Sequence, residues 1–129
     1  MTRPDAGVRA RAPTALLVDD DDEVARVFVR ALERAGFEVH RARTGTEALA
    51  LAAHVERLDA AIVDLVLPGA GGLDVVRRIR EKSPACRIVA VTGLADSAVE
   101  RAFQDAGADT FLAKPVDLHR LLEAVLPRP

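Results

Sequence analysis

Four short apolar runs in this 129-residue chain stop at residues able to do chemistry. Ala15 to Val18 runs into Asp19 and Asp20, and Ala60 to Val63 into Asp64. Arg87 to Val91 runs into Thr92, and Thr110 to Ala113 into Lys114. Carboxylates gathered at one place repel, so one must take up a proton or the fold loses stability, unless a cation joins them. Magnesium suits such a set, because it prefers oxygen ligands and is commonly held by one or two carboxylates plus a phosphate. Manganese offers similar chemistry. No thiol and no histidine pair stands at these positions, which argues against zinc. An ionised aspartate beside such an ion is a nucleophile toward phosphorus, and carboxylates do form acyl phosphates. In this scheme Asp64 is the acceptor. Lys114 ion-pairs with it beforehand and with a phosphoryl oxygen afterward. The Thr92 hydroxyl bonds another oxygen, and Gly93 lets the backbone come close.

Taken singly, each residue has an ordinary explanation. An acidic run such as Asp19 to Glu23 suits a solvated helix start, where the macrodipole favours negative charge. Asp22 and Glu23 are read that way. A lone aspartate at a strand end is usually a turn residue, and a lone lysine a surface charge. Coincidence at four strand ends favours the chemical reading for Asp19, Asp20, Asp64, Thr92 and Lys114. The remaining apolar run, Phe37 to His40, leads to Arg41 and Arg43, to which no chemistry is assigned. His40, His54 and His119 are scattered and given no ligand role. Cys86 is the sole cysteine, which rules out an intramolecular disulfide and fits a reducing compartment with an inert thiol.

The elements that must position these groups follow from apolar spacing. Five strands are expected, near 15–18, 37–40, 60–63, 87–91 and 110–113. Between them, Val24, Val27, Phe28, Ala31, Leu32 and Ala35 keep helical spacing up to Gly36. Thr44 and Glu47 match a capping box, with Glu47 reaching back to the N-cap. Residues 73–81 form a helix with Val76 and Ile79 inward and Arg77, Arg78 and Arg80 outward. Asp96 or Ser97 opens another that closes at Gly107, and a last helix covers about Asp117 to Leu126. Strict alternation of strand and helix implies a parallel sheet with helices on both faces and right-handed crossovers. In such sheets the functional crevice lies outside the carboxyl ends of the strands.

Bulk properties narrow the classes. Half the residues are apolar but only 3% are aromatic, so the core must be built from Ala, Val and Leu. A net charge of -2 gives no reason to expect nucleic acid as a direct partner. No apolar run approaches the ~20 residues of a membrane span. The start carries no secretory pattern. Residues 1–13 lack periodicity and read as a flexible tail, leaving one domain over 14–127.

The pattern resembles the receiver domain of bacterial two-component response regulators, of the stand-alone, chemotaxis-regulator type. The segments carrying the resemblance are Leu-Leu-Val-Asp19-Asp20-Asp21, Val-Asp64-Leu-Val-Leu-Pro68-Gly, Val-Thr92-Gly93 and Gly107-Ala-Asp-Thr-Phe111-Leu-Ala-Lys114-Pro115. It implies a flavodoxin-like, doubly wound (βα)5 sandwich of three layers, with a five-stranded sheet of order 2-1-3-4-5. Asp64 would take phosphate from a histidine kinase or histidine phosphotransfer protein. Asp19, Asp20, Asp64 and the carbonyl of Val66 would bind magnesium. Thr92 and Phe111 would form the switch, and the peptide before Pro115 would be cis. The implied setting is cytoplasmic, as a monomer or weak dimer that signals to a separate downstream protein.

Some residues depart from the family pattern. Phe111 replaces the common tyrosine, so any switch runs on packing alone. Gly71-Gly72 stands where Asp-Gly is usual, which weakens helix initiation. The face of 96–106, strand five and the last helix lacks the charge pattern of the winged-helix regulators, which leaves its dimerisation in doubt. Val66 and Leu94 are apolar beside the expected water path and should slow loss of the phosphate. Two alternatives are a phosphorylation-independent scaffold and a small magnesium-dependent phosphatase of the haloacid dehalogenase type.

Overall fold

The computed structural model describes residues 11–67, 71–93 and 96–126. Most of the expected N-terminal tail lies outside these residues. The described chain alternates β1 (Thr14–Val18), α1 (Asp22–Arg34), β2 (Glu38–Ala42), α2 (Gly45–His54) and β3 (Ala60–Asp64). It continues with α3 (Gly72–Lys82), β4 (Arg87–Thr92), α4 (Ser97–Ala106), β5 (Thr110–Ala113) and α5 (Leu118–Val125). The strands form one parallel sheet of order β2-β1-β3-β4-β5, the flavodoxin-like arrangement.

Strand alternation divides the core into two halves. Leu16, Val18, Ala61, Val63, Ile88 and Ala90 face α2, α3 and α4, meeting Ala48, Ala52, Val75, Val76, Ile79 and Phe103. Ala15, Leu17, Ala60, Ile62, Val89 and Val91 face α1 and α5, meeting Ala25, Phe28, Leu32, Leu121 and Val125. Both sheet faces are covered, so β1 and β3 are buried throughout. Fully burying each large aliphatic side chain contributes roughly 1.5–3 kcal/mol, which lets a core poor in aromatics hold.

Local signals set the helix ends. Asp21 caps α1 by accepting from the Glu23 and Val24 amides. Asp96 caps α4 and Asp117 caps α5 in the same way. Gly36 and Gly107 follow α1 and α4 with φ of 101° and 121°, a region open to glycine at little cost.

Three expectations need correction. β2 runs from Glu38 to Ala42 rather than from Phe37 to His40, because Arg41 and Ala42 pair with Leu17 and Val18 of β1. Phe37 instead packs into the core beside α1. Thr44 does accept from the Glu47 amide, but Glu47 reaches back to the Arg43 amide, one residue before the N-cap. Arg80 does not point into solvent. Its guanidinium donates to the carbonyls of Gly107, Pro84 and Cys86 and to the Asp109 carboxylate, tying α3 to the turns that flank β4 and β5.

Candidate functional site

Parallel register brings four strand ends to one edge. Val18 pairs with Val63, Asp64 with Val91, and Thr92 with Ala113. Asp19 and Asp20 therefore leave β1 beside Asp64 at the end of β3, while Thr92 and Lys114 close β4 and β5. The Lys114 amide donates to the Thr92 carbonyl at 2.8 Å, which extends this alignment past the sheet. The Lys114–Pro115 peptide is cis.

The carboxylates of Asp19, Asp20 and Asp64 each offer an oxygen within 4.8 Å of the others. Asp19 and Asp64 are buried at 2% and 4% exposure, whereas Asp20 faces solvent. Lys114 Nζ donates to Asp64 Oδ2 at 2.6 Å. The other oxygen, Oδ1, accepts the Val66 amide at 3.0 Å, a turn that leaves the Val66 side chain exposed. Asp19 Oδ1 accepts the Asp21 amide at 2.8 Å.

The electrostatics record the strain of this grouping. Burial pushes the Asp19 carboxyl above the usual carboxylate range; the Asp21 amide opposes this, and the negative charge of Asp64 adds to it. Burial pulls the Lys114 ammonium down, but the hydrogen bond and charge of Asp64, joined by Asp19 and Asp20, outweigh it and leave its pKa raised. Three carboxylates against one ammonium leave two formal negative charges uncompensated. A divalent cation supplies that charge, and every donor side chain here is a hard oxygen, so the residues present fit magnesium.

Thr92 is buried at the end of β4. Phe111, on β5, is half-buried and meets Phe103 of α4 edge to face, with ring centroids 6.4 Å apart and an interplanar angle of 88°. Leu94 and the Pro68–Ala70 stretch lie outside the described residues. The start of α3 has no side-chain cap, as two consecutive glycines dictate.

Sequence reasoning missed the role of the two arginines at the end of β2, Arg41 and Arg43. Arg41 donates to the Asp19 carbonyl from Nε at 3.1 Å and Nη2 at 2.8 Å. Arg41 and Arg43 both pair with Asp22 Oδ1 at 2.9 Å, so Asp22 is a tethered anion rather than a merely solvated one. Burial opposes it, but the Arg41 bond is the stronger influence and holds the Asp22 carboxyl below its ordinary value. A signal was present: in extended chain a spacing of two places Arg41, on β2, and Arg43, just past its end, on the same side. Knowing that this side meets the start of α1 required the β1–β2 pairing.

The comparisons agree with this geometry. The family model for the response regulator receiver domain matches residues 15–126. The photosynthetic apparatus regulatory protein RegA of Cereibacter sphaeroides is 38% identical over 113 residues, covering 88% of this chain and 61% of that protein. The response regulator MprA of Mycobacterium sp. strain KMS is 42% identical over 108 residues, covering 83% of this chain and 46% of that one. A cyclic di-GMP phosphodiesterase of Thermotoga maritima is 39% identical, but only 28% of its length is matched. The chain thus spans 28% to 61% of the length of these curated relatives. A crystal structure of a Burkholderia pseudomallei response regulator with a phosphorylated aspartic acid, calcium ion and citrate superposes with a TM-score of 0.81 at 34% identity, over 88% of this chain and 66% of that one. The Vibrio cholerae chemotaxis protein CheY4 gives 0.80 at 28% identity over 90% of this chain and all of its own. Among the described residues no helix is long and apolar enough to cross a membrane.

Proposed function

The chain belongs to the response regulator receiver family, and on that premise we propose that Asp64 accepts a phosphoryl group from a phosphohistidine of a histidine kinase or histidine phosphotransfer protein. The receiver unit spans residues 14–127, with residues 1–13 as a tail, and works in the cytoplasm. One observation carries the reading: Asp64, buried at the end of the central strand, is bonded by Lys114 inside a cluster of three carboxylates.

Asp19, Asp20, Asp64 and the Val66 carbonyl would hold magnesium, or manganese. When bound, the ion supplies positive charge to the phosphoryl oxygens. The protein's own groups do the rest. The Val66 amide and Lys114 fix both Asp64 oxygens, so the carboxylate is oriented before a donor arrives. The phosphorus–nitrogen bond of the donor breaks as the bond to an Asp64 oxygen forms, and the imidazole keeps the electron pair. Lys114 then pairs with a phosphoryl oxygen, and the Thr92 hydroxyl donates to another. Phosphorylation adds roughly -1.5 to -2 charges at Asp64. Thr92 moves toward them, Phe111 turns into the vacated space, and the surface of α4 and β5 changes for a downstream protein.

The donor's approach has a fitting surface. A cavity of about 490 Å3 lies between Val24, Val27, Phe28, Pro115 and Val116 and shares Lys114 with the site. Val27 is 51% exposed there. Arg26, Arg30 and Arg34 follow one stripe of α1 with no ion-pair partner among the described residues. The occupant is a donor helix with an apolar face and acidic flank.

A phosphatase of the haloacid dehalogenase type would place its nucleophile on β1, whereas Lys114 bonds Asp64 on β3. The test is phosphate incorporation from acetyl phosphate or a cognate kinase with magnesium. Asp64→Asn should abolish it; retained labelling would contradict the assignment.

A further inference from the structure

Asp64 is linked twice to the segment formed by β5 and the Lys114 that follows it. The known link runs from its carboxylate to Lys114. The second starts at its backbone carbonyl. Gly72, the buried first residue of α3, comes so close to that carbonyl that a β-carbon on it would lie 3.2 Å from the Asp64 oxygen. The same β-carbon would lie 3.2 Å from Cε1 and from Cζ of Phe103. Phe103, 5% exposed, then meets Phe111 edge to face. Asp64, Gly72, Phe103 and Phe111 thus lie close together in series, and the chain running from Phe111 along β5 to Lys114 leads back to the Asp64 carboxylate.

From this geometry we infer that Phe103 is a positioning residue that transmits displacement of Asp64 and the start of α3 to Phe111 by packing, a route beside any that runs through Thr92. The inference rests on the phosphoacceptor reading of Asp64. Four physical features make the route efficient. A close-packed interior cannot absorb a shift of a few tenths of an ångström by compression, so a moving α3 start must displace the ring it touches. An edge-to-face aromatic pair has a preferred geometry, so turning one ring disturbs the other. The α3 start is also the compliant end of the chain of contacts, since Gly71 gives it no side-chain cap. Phe111 lacks a hydroxyl, so its position is governed by such packing and not by a hydrogen bond of its own.

The test uses the full chain, magnesium and beryllofluoride, followed by NMR. The Val66 amide, bonded to Asp64 Oδ1, reports occupation of the site; the 13C-labelled Phe111 ring reports the switch. In Phe103→Leu, which stays apolar but loses the ring, the Val66 midpoint should stay within about two-fold of wild type. The Phe111 shift should fall to at most about half. A plain packing defect would not separate the two probes. Gly72→Ala, which leaves Phe103 in place but crowds it, should move the Phe111 resonance before any ligand is added. A full Phe111 response in Phe103→Leu, or an unmoved resonance in Gly72→Ala, overturns the inference. If Val66 responds in wild type while Phe111 does not, the inference fails and the acceptor reading stands. If Val66 itself never responds, the acceptor reading fails, and the inference with it.

Discussion

Replacing Asp19 by asparagine should make the metal-free protein more stable and the magnesium-loaded protein less so. Asp19 and Asp64 are both buried, and their carboxylate oxygens lie within 4.8 Å. At an effective dielectric constant near 20, two charges at that separation repel by about 3.5 kcal/mol. Lys114 offsets part of this, and solvent on the Asp20 side screens more, leaving a net gain of about 1–2 kcal/mol on neutralisation. Asparagine can still accept the Asp21 amide, so little else is lost. In a domain of this size the gain corresponds to a Tm higher by roughly 3–8 °C. The pH dependence has a definite sign. The Asp19 carboxyl titrates above its ordinary value in the folded chain, so the folded state holds that proton more tightly than the unfolded state. Wild-type stability from this group is therefore greatest below the unfolded pKa and is lost as pH rises through the folded one. The advantage of Asp19→Asn should accordingly vanish in acid and reach its full value only above the raised folded pKa. With magnesium at a hundred times its Kd, linkage adds about 2.7 kcal/mol to wild type, and a variant short of one ligand loses most of that. Thermal denaturation in EDTA and in excess magnesium, at several pH values, measures all three effects. A variant less stable than wild type in EDTA, or one stabilised equally by magnesium, would refute the reasoning.

Other expectations are simpler to state. Arg80→Ala removes donors from the carbonyls of Gly107, Pro84 and Cys86 and should cost about 2–4 kcal/mol in chemical denaturation; a loss below about 0.5 kcal/mol would show that water replaces them freely. Burial pushes the Cys86 thiol up to about 12, so at pH 8 a thiol reagent should label the native protein at least ~100-fold more slowly than free cysteine, and labelling should track unfolding in urea. Rapid labelling without denaturant would be inconsistent with the packing around β4. Polar residues at both Val66 and Leu94 should speed loss of the phosphoryl group by roughly ten-fold, measured by decay of labelled protein; an unchanged or slower rate counts against the shielding idea.

Much of this molecule was legible in its residue order, because element type is a local property. Unbroken apolar runs mark β1 and β3, helical spacing marks α1, and Asp96, Asp117, Gly36 and Gly107 act within a few residues of where they stand. The convergence of Asp19, Asp20, Asp64, Thr92 and Lys114 on one edge was legible too, since a parallel sheet must bring its carboxyl ends together. What only the tertiary structure decided are the partners of long or bulky side chains. Arg41 and Arg43 hold the start of α1 because β2 lies beside β1 in a particular register. Arg80 looked like one more outward arginine on α3, yet it binds a carbonyl 27 positions away. Phe103 touches the first turn of α3 only because Gly72 leaves room for its ring. The physical reason is common to all three. Periodicity encodes which face of an element is buried, whereas the identity of a contact across elements depends on strand order, register and the reach of flexible side chains, none of which has a local signature.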